Sequence, residues 1–84
     1  MKMLERFMIE IDSEHKLGNN EYVRGRISGI VIGILGKDRC EGNVAWELHP
    51  DGTHIYDGPE CTVFESKGIM KIIDDLYPGL CTFV

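Results

Sequence analysis

Three thiols, three imidazoles and fourteen carboxylates are the groups in this 84-residue chain that could carry chemistry. Cys40, Cys61 and Cys81 are widely spaced and form no Cys-x-x-Cys pair. That spacing specifies neither a zinc ribbon nor a disulfide framework, and it suits reduced thiols in a cytoplasmic compartment. A thiol nucleophile needs a base beside it, and no stretch around these cysteines supplies one. His49, Asp51, His54 and Asp57 crowd one short segment and are types that hold metals. The hairpin register derived below puts the two histidines on opposite faces, however, and gives Asp51 to the turn. Asp74 and Asp75 are neighbours in a helical pattern, where adjacent side chains diverge, so they read as solvated surface rather than as an acid/base pair. Both sit near the negative end of that helix, which is mildly unfavourable. No catalytic residue, metal or cofactor is therefore expected.

The glycines carry no phosphate-binding signature. In GRISGIVIGILG, residues 25–36, they recur every four residues at Gly25, Gly29 and Gly33, with Gly36 after them. This matches neither the dinucleotide fingerprint nor a Walker loop. Gly-x-x-x-Gly packing between membrane helices needs an apolar segment of about 20 residues, whereas this run extends from Ile27 to Leu35 and contains Ser28. Tyr22, Arg24 and Arg26 alternate as an aromatic and basic platform for single-stranded nucleic acid would. A net charge of −5 opposes phosphate binding, and a solvated sheet surface accounts for the same residues.

The elements that must position these groups fit one domain, residues 1–84, of the α+β class. Residues 3–11 alternate, with Phe7, Ile9 and Ile11 on one face against Arg6, Met8 and Glu10 on the other, and predict a half-buried strand. The polar loop SEHKLGNNE leads into residues 22–35. There the β-branched residues and repeated glycines predict a long central strand rather than a soluble helix. Its second half, Ile30 to Leu35, is apolar on both faces and requires two covering layers. GKDRCEGN, residues 36–43, reads as a turn-rich connection.

Pro50-Asp51-Gly52 predicts a hairpin in which His49 faces Thr53, Leu48 faces His54 and Trp46 faces Tyr56. Val44, Trp46, Leu48, His54 and Tyr56 then form the core side, with Ala45, Glu47, Thr53 and Ile55 on the other. CTVFE, residues 61–65, has capping-box spacing but β-rich content, and is read as a short strand followed by a helix capped at Ser66. The helix KGIMKIIDDLY repeats Ile69, Ile72, Ile73 and Leu76 on one face and stops at Pro78-Gly79. LCTFV is a terminal strand. The expected architecture is an antiparallel sheet of four to six strands packed on one C-terminal helix, with a short strand last. One helix covers one sheet face, so Ile30, Ile32 and Ile34 are expected to bury against a second copy in a homodimer.

Charge is unevenly divided. Residues 1–40 hold seven Lys or Arg against six acids, while residues 41–84 hold two against eight. An acidic field of this kind aids solubility and speeds encounter with a basic partner. Glu5, Arg6 and Glu10 interrupt any secretory signal in MKMLERFMIEID, so export is not expected. These features point to a small acidic non-catalytic binding protein that engages a basic protein surface through Asp57, Glu60, Asp74 and Asp75. Immunity proteins, antitoxins and phage-encoded inhibitors include compact acidic chains of this size. The alternative is a homo-oligomer that binds a small ligand between protomers with Arg24, Arg26, Trp46 and Tyr56.

Overall fold

A computed structural model describes residues 4–40 and 46–83. Strand β1, Leu4–Ile11, buries Phe7, Ile9 and Ile11 on one face and leaves Arg6 exposed on the other. Asp12 accepts a hydrogen bond from the Glu14 backbone N–H at 2.8 Å, and a turn-rich connection carries the chain to Asn20.

The largest departure from sequence expectation follows. Residues 22–35 are not a strand but most of helix α1, Glu21–Leu35. Asn20 adopts extended backbone angles, and its side-chain oxygen accepts from the N–H groups of Tyr22 at 3.0 Å and Val23 at 3.2 Å. This cap satisfies donors that a helix start otherwise leaves bare. Val23, Ile27, Val31 and Leu35 then form the buried stripe. Their spacing of four is a multiple of the strand period as well as close to the helical one, so the same residues line one face in either reading. Gly25, Gly29 and Gly33 lie on the opposite, solvent side, with open space where a side chain would stand. They cost the helix propensity without breaking it. Gly36 ends it at φ 95°, and its N–H donates to the Ile32 carbonyl at 2.8 Å.

Lys37–Cys40 form a short helix, α2, where only turns were expected. Val44 and Ala45, assigned to the hairpin's two faces, lie outside the described residues, as do Met3 and Val84 at the ends of expected strands and the 41–43 part of the connection. Strand β2, Glu47–Leu48, pairs with β3, His54–Thr62, so that Leu48 stands opposite His54 and Glu47 opposite Ile55. In the turn between them, the Gly52 N–H donates to the His49 carbonyl at 2.9 Å, and Asp51 accepts from the Thr53 N–H at 2.9 Å. Gly52 carries φ 91°, the left-handed conformation that glycine adopts at little cost.

β3 pairs with β1 along its length but slips by one residue between Arg6 and Met8. Gly58 and Pro59 there oppose the single residue Phe7, which makes a β-bulge. Proline is tolerated in this central strand because the bulge relieves it of a ladder hydrogen bond. The extra residue also changes which parity faces inward: His54 and Tyr56 are buried before the bulge, and Cys61 after it.

β3 runs directly into helix α3, Val63–Leu76. The cap is Thr62, not Ser66. The Thr62 hydroxyl accepts from the Glu65 N–H at 3.1 Å, and the Glu65 carboxylate accepts from the Thr62 N–H at 2.9 Å. This reciprocal capping box outweighs the β preference of Val63 and Phe64, and residues 63–65 are helical rather than extended. Strand β4, Cys81–Phe83, closes the order β2-β3-β1-β4, antiparallel throughout. Two βαβ units are thus interleaved in the split-βαβ arrangement. α1 and α3 pack on each other and on one sheet face around a single core of Phe7, Ile9, Ile11, Ile27, Ile69 and Ile73 with their neighbours. The expectation of one covering helix is corrected to two, both on the same side. Among the described residues, no helix is long and apolar enough to cross a membrane.

Candidate functional site

With both long helices on one side, the other face of the sheet carries no helix among the described residues. Alternation and pairing assign its residues. Glu47, Ile55, Glu10 and Thr82 form one row across all four strands, Met8 stands beside Asp57, and Arg6 beside Glu60. Arg6 donates to Asp57 through Nε at 2.7 Å and through a second guanidinium nitrogen, a bidentate pair that lies across the face. Glu47 and Glu60 are exposed, and Glu10, Ile55 and Met8 are half-buried by their neighbours. Among the described residues, four carboxylates, Glu10, Glu47, Asp57 and Glu60, therefore share this face with one cation, Arg6. The described helices are balanced differently: α1, α2 and α3 together hold the five acids Glu21, Asp38, Glu65, Asp74 and Asp75 against six Lys or Arg. The bare sheet face is thus net negative, while the helices are nearly neutral.

The residues expected to bind a basic partner divide between these two sides. Asp57 and Glu60 are on the sheet face. Asp74 and Asp75 lie in the last turns of α3, where Lys71 donates to Asp75 at 3.3 Å. Glu10 and Glu47, absent from the expected set, belong with the first pair. Their outward parity is written in the alternation of residues 6–11 and 47–55.

The alternative ligand-binding set also comes apart. Trp46 and Tyr56 do meet, with ring centroids 5.4 Å apart, but as part of the packing between β3 and α1. Trp46 Nε1 donates to the Arg24 carbonyl at 2.9 Å and to Ser28 Oγ at 3.0 Å. The Arg24 guanidinium donates to the Gly18 carbonyl and fastens the preceding loop. On a helix at about 100° per residue, Arg24 and Arg26 point to different sides, so the alternating platform with Tyr22 does not form. The same rotation turns Ile32 away from Ile30 and Ile34. Ile30 packs against the core, while Ile32 and Ile34 are 39% and 38% exposed. The shared face proposed for self-association required a strand and is not present.

The resolved shifts of the ionisable groups come from burial and from hydrogen bonds within the fold. Burial raises the Cys61 and Cys40 thiols above the ordinary thiol range and takes Cys81 to about 11, the reverse of what a nucleophile needs. His54 is buried beneath α1, and desolvation, with the nearby Arg24 charge, lowers it and keeps the ring neutral. Hydrogen bonds from Arg39 hold Glu65 down at about 2, with the Thr62 N–H adding to the effect. Asp51 is lowered by its bond from the Thr53 backbone. Among the described residues no three His, Cys, Asp or Glu side chains are grouped to hold a metal. No family model matches this chain, and no curated protein or solved structure matches it either.

Proposed function

We propose that this is a small non-catalytic binding protein that presents its uncovered, acidic sheet face to a basic protein surface. One observation supports the reading above the others: among the described residues, the sheet face without a helix holds four carboxylates against one cation, while the three helices are together close to neutral. A sheet face bearing Glu10, Glu47, Glu60 and the Arg6–Asp57 pair, with Ile55 and Met8 between them, offers spaced negative charge around a small apolar centre. That suits a cationic protein surface, for which charge complementarity supplies encounter rate and orientation. Cationic clefts that bind phosphate backbones are the targets this reading favours, with the chain acting as an acidic protein of the inhibitor or immunity type. Three free cysteines fit a reducing, cytoplasmic setting.

The test separates the two acidic surfaces. Partner capture by the immobilised protein should weaken steeply as salt rises. Replacing Glu10, Glu47 and Glu60 together by lysine should abolish capture, whereas Asp74→Lys with Asp75→Lys should leave it within about twofold. Capture that ignores salt, or that is lost only on changing α3, would contradict the assignment.

A further inference from the structure

Two large apolar side chains stand on the outer side of α3. Ile72 and Leu76 are each 42% exposed, and with Gly68 they form one row of neighbours spaced four residues apart along the helix. Gly68 has open space where a Cβ would stand, so the row has a hollow one turn before Ile72 and a projection one turn after it. Charge is ordered along the same helix. Lys67 and Lys71 come before Ile72, Asp74 and Asp75 come after it, and at about 100° per residue all four lie on one flank of the row.

This pattern complements itself when reversed. If a second copy is turned end over end about a two-fold axis at Ile72, Leu76 of each copy stands over Gly68 of the other. Rows of this spacing interlock where two helices cross at about −50°. Lys67 and Lys71 of each copy then bracket the turn that carries Asp74 and Asp75 of the other, on the same flank. An axis at Met70 would instead set the two Lys71 side chains beside each other. The distribution of charge selects the same side of the molecule: the bare sheet face is net negative and repels its own copy, whereas the helices hold five acids against six Lys or Arg.

We propose that α3 is a contact between two copies of this chain, an antiparallel two-fold pairing centred on Ile72. Contact through one helix per copy is small, so the dimer forms and dissociates with concentration. Both acidic sheet faces stay outward and each binds on its own, so this pairing and the proposed partner face can fail independently.

Sedimentation velocity of the full chain at rising concentration provides the test. The average mass should climb from that of one chain toward that of two. Lys67→Glu with Lys71→Glu, and Asp74→Lys with Asp75→Lys, should each weaken self-association by roughly tenfold or more, because like charges then meet, and an equimolar mixture of the two variants should recover the dimer. Recovery on mixing cannot come from damaged folds. Gly68→Leu separates a fitted contact from general stickiness. It adds apolar surface but fills the hollow that receives Leu76, so it should weaken association by roughly tenfold while leaving the melting temperature of the dilute protein no lower. A single-chain mass at every concentration, a mixture of the charge variants that does not associate, or tighter association of Gly68→Leu would each overturn the proposal.

Discussion

Single side chains decide where the elements of this protein begin. Thr62 and Ser66 are both plausible caps by residue type, and the structure chooses Thr62 because Glu65 stands three residues after it and returns its hydrogen bond. Ser66 Oγ instead donates to the Val63 carbonyl inside the first turn. Thr62→Ala should cost about 1 kcal/mol of stability in urea unfolding, and Ser66→Ala no more than a few tenths. Equal losses would restore Ser66 as the cap. The pH dependence divides into two windows. His54 is lowered from 6.5 in the folded state, so the unfolded chain takes up that proton first, and stability present above pH 6.5 should decline as the pH falls below it. Glu65 is lowered from 4.5 to about 2, so its contribution is complete above pH 4.5 and disappears as the pH approaches about 2. Urea midpoints should fall in both windows. His54→Gln should flatten the first decline only, and Glu65→Gln the second.

At the scale of elements, the parts with one periodicity were legible and those compatible with two were not. Phe7, Ile9 and Ile11 alternate at a spacing that no helix would bury together, and their strand is where the pattern put it. Val23, Ile27, Val31 and Leu35 satisfy both periods, so propensity was left to decide, and the glycines and β-branched residues favoured the wrong side. Asn20 before the run and Gly36 after it are the helix signals that resolve the ambiguity. The bulge at Gly58-Pro59 hid a different fact: it reverses the inward parity between Tyr56 and Cys61, which a strict alternation cannot follow. α1 supplies the sharper test. Gly25, Gly29 and Gly33 have open space where a Cβ would be added, so alanine at each should stabilise the protein by roughly 0.5–1 kcal/mol and raise the melting temperature. Loss of stability at all three would return the segment to an extended conformation.

For the molecule as a whole, the net charge of −5 was plain from composition, but its placement was not. Dividing the chain at residue 40 assigned the acidity to the second half. Folding divides it by face instead, setting Glu10 of β1 on the same sheet face as Glu47 and Glu60, with Asp74 and Asp75 on the helical side. The candidate site was half legible, since the outward alternation of Glu10 and Glu47 could be read but their placement in one row on either side of Ile55 depends on strand order. That the bare sheet face is the molecule's negative pole is tested most directly by methyl relaxation in the presence of a cationic and then a neutral paramagnetic agent. The ratio of the two effects cancels differences in exposure. It should be highest at Met8 and Ile55, lower at Ile32 and Ile72 on the helical layer, and the contrast should shrink as salt is added. An equal ratio on both sides, or a higher one at the helices, would contradict the polarity on which the proposed function rests.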